Sequence, residues 1–292
     1  MALIEIDRTF AQSRVTALKH QLCSHPLMST EKLCELALRL PKEQVRFHEG
    51  DRAFENYWGA MFELDKSRTG LERAIANLHH GKSFVQLNGI HHDHEYRELI
   101  DDFLDEVLPC LPPEDRKLVN RDGSAFLASP RSVTPFHLDH DQNFLCHIRG
   151  PKQLWVWDPD DRVVVSAKSL EHFFKVGTGK DIGYRDELGP RAHVFELQPG
   201  ESVYMPMAAA HAVKTGDDVA VTFSMLMNTP SSMLEADIWR ANYRLRQLGL
   251  DPLPFGESHL RDALKAKALR ALRGVRNLIS GTEPATDASP WY

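Results

Sequence analysis

The chain has 292 residues, 42% of them hydrophobic, which is enough for one sizeable core with appended helices. Its 35 Lys and Arg face 41 Asp and Glu, and the net charge of −6 argues against wholesale binding to nucleic acid or to an anionic membrane. The N-terminus lacks a signal-peptide pattern, no stretch approaches the ~18 apolar residues of a membrane span, and the four cysteines are scattered without a CxxC pair. These features predict a cytoplasmic protein with no membrane span, no disulfide framework and no Cys-type zinc site.

Apolar residues at three- and four-residue spacing predict helices over much of the first third of the chain. The predicted helices cover residues 8–22, 30–40, 69–79 and 94–107. A short apolar run at residues 83–87 predicts a strand. We therefore expect residues 1–122 to form an N-terminal helical region with a strand that packs on the core.

The pattern changes at about residue 123, where short runs rich in Phe, Val, Trp and Leu alternate with Gly, Pro and Asp turns. Short strands separated by turn signals are typical of a sandwich or barrel, so we expect residues 123–230 to be a β core. The predicted strands cover residues 124–129, 134–139, 143–149, 152–157, 193–198, 201–206, 210–215 and 219–226. A polar insert at residues 158–192 interrupts the series, and we expect it to face substrate because long insertions in compact domains are often functional lids.

Helical periodicity returns after Pro230, at residues 232–248 and 258–279, which predicts C-terminal helices over residues 231–280 and a mobile tail over 281–292. An apolar stripe on the last helix consists of Leu260, Leu264, Leu272, Val275 and Ile279. A stripe that the core does not cover must be buried elsewhere, which favours a homodimer through these helices. The alternatives are a helix packed on its own core with a solvated basic face, or a surface for anionic lipid or nucleic acid.

An H-x-D motif, His137 and Asp139, lies on a predicted strand of the β core. Strand residues two apart point to the same face, so both side chains can reach one metal ion, and His211 follows 72 residues after Asp139. Two imidazoles and one carboxylate on one side of an octahedral ion leave positions open for a cosubstrate and O2, as in non-haem Fe(II) oxygenases. A chance H-x-D is easy in a chain with 15 histidines. The spacing of Gly200, Pro206 and His211, which reproduces the second cupin motif, favours the metal site.

Lys152 shares a strand face with Leu154 and Val156. If that face lines the barrel, a buried ammonium needs an anionic partner, and a dicarboxylate cosubstrate would supply one. The alternative is a solvated lysine at the start of its strand.

The β core resembles the JmjC-type oxygenases, and within them the subgroup that includes the asparaginyl hydroxylase acting on the hypoxia-inducible factor. The segments that carry the resemblance are TPFHLDHDQNF at residues 134–144, IRGPK at 148–152 and LQPGESVYMP at 197–206, followed by His211. The resemblance covers roughly residues 123–230. It implies a mainly β fold with flanking helices, built on a double-stranded β-helix (jelly-roll, cupin) core. It also implies an oxygenase that uses Fe(II), 2-oxoglutarate and O2 to hydroxylate a protein side chain or a small molecule.

The same resemblance assigns roles to individual residues. The iron ligands that it implies are His137, Asp139 and His211. Lys152 matches the lysine that pairs with the distal carboxylate of 2-oxoglutarate, and Thr134 matches its hydroxyl partner. Asn143 matches a polar residue near the other end of the cosubstrate, and Ser224 lies where the family often has Asn or Ser on the last core strand.

Departures from the common cupin pattern leave other functions open. The first cupin motif ordinarily has H-x-H followed by Glu, so the H-x-D of this chain favours an oxygenase, while Ala208 stands where the second motif has Gly. A metal-binding cupin that acts as an isomerase, a cosubstrate-independent dioxygenase or a sensor is the main alternative, and a non-catalytic scaffold is another. Lys152 and Thr134 discriminate, because only a 2-oxoglutarate enzyme needs them. The histidines at 79–80 and 91–94 are expected to be solvated on surface turns.

Overall fold

The computed structural model describes residues 2–57 and 67–280, with the backbone alone at residues 270 and 272–280. In chain order the strands are β1 (Ile4–Glu5), β2 (Thr16–His20), β3 (Val45–Glu49), β4 (Ser83–Leu87), β5 (Asn120–Ala128), β6 (Val133–His137), β7 (Gln142–Arg149), β8 (Lys152–Val156), β9 (His193–Leu197), β10 (Glu201–Met205), β11 (His211–Thr215) and β12 (Ala220–Asn228). The α-helices are α1 (Thr30–Arg39), α2 (Arg68–Ala76), α3 (His94–Val107), α4 (Ala167–Val176), α5 (Pro230–Gln247) and α6 (His259–Ser280).

Two antiparallel sheets form the β core. The larger sheet has the strand order β1-β2-β10-β7-β12-β5-β4-β3, and the smaller has the order β6-β11-β8-β9. The sheets pack face to face through one apolar cluster, in which Leu145 and Val203 of the larger sheet meet Leu154 and Val213 of the smaller. This arrangement, with helices on the outside, confirms the predicted jelly-roll core with flanking helices.

Side-chain alternation explains how the strands place polar groups inside the core. Along β8 the residues Lys152, Leu154 and Val156 are buried, whereas Gln153 and Trp155 between them are more exposed. The predicted shared face of Lys152 with its apolar neighbours is therefore observed.

The outer face of the larger sheet is covered by helices. Helix α3 begins after Asp93, which caps the backbone N–H of Tyr96, and coincides with the helix predicted over residues 94–107. Its Phe103 ring packs edge-on against Phe144 of β7 at 5.7 Å, and Tyr96 stacks on Phe223 of β12 at 6.1 Å. Strands β7 and β12 are consequently buried on both faces.

The helix predicted over residues 8–22 is wrong. Turns precede β2, which pairs antiparallel with both β1 and β10. Apolar residues four apart, such as Leu18 and Leu22, fit the period of two of a strand as well as the 3.6-residue period of a helix. The segment forms a strand because it pairs with β10. The prediction also missed β1 and β3, so the described residues before 120 contribute four strands to the larger sheet as well as three α-helices.

The insert between β8 and β9 is structured and packs on the C-terminal helices. It contains α4 and a 3-10 helix, Asp186–Arg191. The Nε1 of Trp157 donates to the carbonyl of Leu188 at 2.7 Å, and the buried carboxylate of Glu171 accepts from Arg246 of α5 at 2.6 Å. The first contact ties the 3-10 helix to the residue that follows β8, and the second ties α4 to α5.

The apolar stripe predicted on the last helix is only partly described. On α6, Leu260 is 74% and Leu264 is 59% exposed, while the helix packs inward through Ala266 and Leu269. The other members, Leu272, Val275 and Ile279, lie outside the described side chains, and the predicted tail at 281–292 lies outside the described residues. Within the described parts of the chain, no helix combines the length and apolarity that crossing a membrane requires.

Candidate metal centre

Strand pairing brings His137, Asp139 and His211 together. His137 ends β6 and His211 begins β11, and the two residues are direct partners in the antiparallel register. Their rings lie 4.1 Å apart, centroid to centroid. Asp139 follows β6 by two residues, and the ligand atoms of the three side chains all lie within 4.8 Å of one another.

Hydrogen bonds to backbone carbonyls orient both imidazoles so that their Nε2 atoms face the Asp139 carboxylate. Nδ1 of His137 donates to the carbonyl of Pro135 at 2.8 Å, and Nδ1 of His211 donates to the carbonyl of Ala209 at 3.0 Å. These bonds fix the tautomer in which Nε2 carries a lone pair. Nε2 of His137 lies 3.9 Å from Oδ1 of Asp139, and Nε2 of His211 lies 3.6 Å from Oδ2 of Asp139.

The donor set fits a divalent transition metal. Neighbouring ligands around an octahedral ion with bonds of about 2.1 Å lie roughly 3 Å apart, so the observed separations need only a slight contraction. Burial, followed by the adjacent His211, lowers the pKa of His137 to about 4, so this imidazole is neutral and ready to coordinate at neutral pH. The Asp139 side chain is 37% exposed, which leaves an open side for other ligands.

A second buried carboxylate, Asp141, lies next to this cluster and was missed by the sequence reasoning. Burial, then the charges of Asp139 and Asp122, raise the pKa of Asp141 to about 8, and the amide of Asn228 donates to it. Asp141 is two residues beyond Asp139 in the same loop, so the H-x-D motif continues as H-x-D-x-D. That extension was a signal available in the sequence.

The loop before β11 supports Asp139 through its backbone. Ala208 has a left-handed backbone with φ of 59°, and its N–H donates to the carbonyl of Asp139 at 3.0 Å. Left-handed backbone strongly favours glycine. This conformation explains why the second cupin motif has Gly where the chain has Ala208.

The predicted cosubstrate residues line the same cavity as the three candidate ligands. The four side chains are Thr134, Asn143, Lys152 and Ser224. The register between β6 and β11 shifts by one residue between the pair His211–His137 and the pair Val213–Thr134. This bulge lets Thr134 and His137, which have opposite parity, both face the cavity.

Lys152 is a buried cation without a carboxylate partner among the described residues. It is 7% exposed, and its Nζ donates to the hydroxyl of Thr222. Burial lowers the pKa of Lys152 to about 7. Thr222 was missed by the sequence reasoning, although it lies two residues before Ser224 and so shares its face of β12.

Two of the predicted cosubstrate residues also carry polar atoms that lack partners within the described chain. These atoms are Oδ1 of Asn143 and Oγ of Ser224, both on buried side chains. A buried polar atom without a hydrogen bond is costly, so these atoms are expected to meet a ligand or ordered water.

The remaining histidines differ in their surroundings. His79, His80, His92 and His94 are exposed, as expected. The prediction that His91 is solvated is wrong, because this side chain is buried and its Nδ1 lies 2.5 Å from Oδ1 of Asp122. His140 points away from the ligand cluster and stacks on Phe173 of α4 at 3.9 Å, so the insert packs beside the metal-site loop.

The sequence matches a family model described as a cupin-like domain over residues 39–229. Among solved structures, it is similar to that of YcfD, a ribosomal oxygenase from Escherichia coli, in complex with cobalt and succinic acid, with 14% identity and a TM-score of 0.44 over 90% of this chain and 63% of that chain. An X-ray structure of E. coli YcfD gives 15% identity and a TM-score of 0.47 over 90% and 64%. The chain thus spans less than two thirds of the length of these proteins. None of the curated proteins matches the sequence.

Proposed function

The chain belongs to the family of cupin-like domains, and on that premise we propose that it is an Fe(II)- and 2-oxoglutarate-dependent oxygenase that hydroxylates a protein side chain or a small molecule. The His137, Asp139 and His211 cluster is proposed to hold the iron. Three protein ligands on one side of an octahedral ion leave room for a cosubstrate and O2.

The observation that carries this proposal is the buried Lys152 in the wall of the same cavity. An ammonium in a desolvated site is costly unless an anion meets it. The described chain offers Lys152 only the neutral hydroxyl of Thr222. A dicarboxylate that binds the metal with one end and reaches Lys152 with the other satisfies both the open coordination sites and the buried cation.

The other cavity residues are proposed to orient this cosubstrate. Thr222 offers a hydroxyl beside Lys152, and Thr134 offers another in the same cavity. Asn143 and Ser224 offer polar atoms on the wall opposite β8. When bound, Fe(II) and 2-oxoglutarate supply the oxidising chemistry, with decarboxylation of the cosubstrate coupled to hydroxylation of the substrate. The protein contributes position, neutral imidazole ligands and exclusion of water, and no protein general base is required.

The insert that contains α4 is proposed to form part of the substrate entrance. Phe173 of α4 stacks on His140, one residue beyond Asp139, so a movement of α4 reaches the metal-site loop directly. Glu171 ties the same helix to Arg246 of α5. This placement supports a role for the insert in covering the site.

The experiment that tests the proposed function measures succinate released from 2-oxoglutarate by the full-length protein with Fe(II), with and without candidate substrate pools. Asp139→Ala should abolish release, whereas Lys117→Ala, at an exposed position, should not change it. Metal binding without any binding or turnover of 2-oxoglutarate would refute the proposal and favour a cupin that acts as an isomerase, a cosubstrate-independent dioxygenase or a sensor.

The proposed homodimer through the C-terminal helices is tested separately, by light scattering of the full-length chain against one ending at Pro254.

A further inference from the structure

The cavity beside the metal centre has a second polar wall, on strands that the proposed cosubstrate residues do not use. Arg46 of β3, Gln86 of β4 and Asn88 just after β4 line it. The strand register pairs Arg46 with Gln86, Gln86 with Phe126, and Phe126 with Thr222. These cross-strand partners therefore form a row across the sheet, from Thr222 on the cosubstrate side of the cavity to Arg46 on β3.

Hydrogen bonds within this wall determine which atom of the Gln86 side-chain amide has no hydrogen-bond partner. Nδ2 of Asn88 donates to the carbonyl of Gln44 at 3.4 Å, so Oδ1 of Asn88 points away from it. That oxygen accepts from Nε2 of Gln86 at 2.7 Å and from the hydroxyl of Ser124 at 3.5 Å. Reversing the Asn88 amide would place its Oδ1 against the carbonyl oxygen of Gln44. Reversing the Gln86 amide alone would place its Oε1 against Oδ1 of Asn88. Gln86 therefore presents Oε1 as a free acceptor.

Because Oε1 of Gln86 is buried, its stability depends on a hydrogen-bond donor. Gln86 is 7% exposed, and its Oε1 has no hydrogen-bond partner among the described residues. An unpaired buried oxygen is costly, and an N–H or O–H of a ligand would offset that cost. A cationic donor is disfavoured, because Arg46, the cross-strand partner of Gln86, also lines this cavity and carries a positive charge. An acidic group that is ionised has no donor to offer.

We propose that Gln86 selects a substrate group that is electrically neutral and donates a hydrogen bond, such as a carboxamide or a hydroxyl. Asn88 is a positioning residue, because it acts by holding Nε2 of Gln86 and thereby leaves Oε1 as the unpaired end of the amide. This inference rests on the proposed function, since it needs a substrate that enters beside 2-oxoglutarate bound on the Lys152 side.

The test compares four fragments of one shape on the full-length protein loaded with redox-inert Zn(II) and saturated with 2-oxoglutarate. The fragments are isobutyramide, 3-methylbutan-2-one, isobutyrate and isobutyramidinium, and ligand-observed NMR gives their dissociation constants. The ketone has the shape and the acceptor of the amide but no N–H. We expect the wild type to bind the amide about tenfold more tightly than the ketone, a difference of ~1.4 kcal/mol, and more tightly than either ion.

Three variants connect this preference to Gln86. Gln86→Met removes the acceptor at similar volume and should bring the amide-to-ketone ratio to about one. Gln86→Glu keeps an acceptor in place but adds a negative charge, and should shift the preference to the amidinium, a gain that an unfolded protein cannot show. Gln153→Met is the matched control. It makes the same change on the face of β8 that points away from Lys152 and the cavity, and it should behave as the wild type.

Equal binding of amide and ketone by the wild type, or an unchanged preference in Gln86→Met, would overturn the inference. A wild-type protein that binds no 2-oxoglutarate in the same titration would instead refute the proposed function. The two failures are therefore distinguished by separate measurements on one sample.

Discussion

The buried ammonium of Lys152 should make the affinity for 2-oxoglutarate depend on pH. Burial lowers its pKa to about 7, so the free protein loses this proton as the pH rises above that value. A carboxylate beside Lys152 favours the protonated form, so binding takes up a proton wherever the free lysine is neutral. The carboxylates of 2-oxoglutarate stay ionised throughout this range.

The expected size follows from linkage. Well above pH 7 the affinity should fall about tenfold per pH unit. Between pH 7, where half of the free lysines are already neutral, and pH 8.5 the fall should be about sixteenfold, or ~1.6 kcal/mol. Without ligand, the unfolded chain binds this proton more tightly than the folded chain. The free energy of unfolding should therefore rise with pH from about 7 toward the ordinary lysine pKa of about 10.4.

Isothermal titration calorimetry of the Zn(II)-loaded protein, in two buffers of different ionisation enthalpy, measures both affinity and proton uptake. Lys152→Arg keeps its charge at every pH and should bind with a nearly flat pH profile. Lys117→Ala, an exposed lysine, should retain the wild-type slope. Constant affinity of the wild type from pH 6.5 to 8.5, with no proton uptake, would show that Lys152 is not the partner of the carboxylate.

Three further changes probe the metal cluster, a turn and the insert. Asp139→Ala should reduce bound metal from one equivalent to near zero by elemental analysis after dialysis, and metal retention would remove Asp139 from the ligand set. Gly150→Ala should destabilise the fold by about 2–4 kcal/mol in urea denaturation, because φ is +80° and the new Cβ would clash with the carbonyl oxygen of Val219. Arg246→Met should cost about 3–5 kcal/mol by the same assay, because the carboxylate of Glu171, 1% exposed, loses its cation.

Each of these changes has a matched control. Asp158→Ala alters an exposed carboxylate paired with His193 and should leave metal content intact. Gly177→Ala has the same left-handed backbone but no atom within 4 Å of the new Cβ, so it should cost only about 1–2 kcal/mol. Arg261→Met removes an exposed arginine from α6 and should be nearly neutral. Equal effects of a test and its control would contradict the stated cause.

The sequence was sufficient wherever a local period or a short motif carries the information. The alternation along β8 predicted that Lys152 shares a face with Leu154 and Val156, and the i, i+2 spacing of His137 and Asp139 predicted that they share a side. Helix α3 was predicted at its observed bounds, because the spacing of its apolar residues is a local signal.

The errors occurred where distant pairing decides the outcome. β2 became a strand because β10 offered an edge, and His91 became buried because β5 brought Asp122 beside it. The acceptor of Gln86 likewise depends on Gln44 and Asn88, which meet only when β3 and β4 pair. None of these partners is visible within a short window of the chain.

The pairing of His137 with His211 also affects when the metal can bind during folding. The two ligands are 74 positions apart, and the ring closed by this contact contains β7 to β10 and the whole insert. Closing so long a ring is entropically costly, so the complete ligand set exists only after the non-local strands have paired. Metal binding is then coupled to the native topology, and added metal should raise the midpoint of unfolding by mass action while leaving the collapsed, unpaired chain without a high-affinity site.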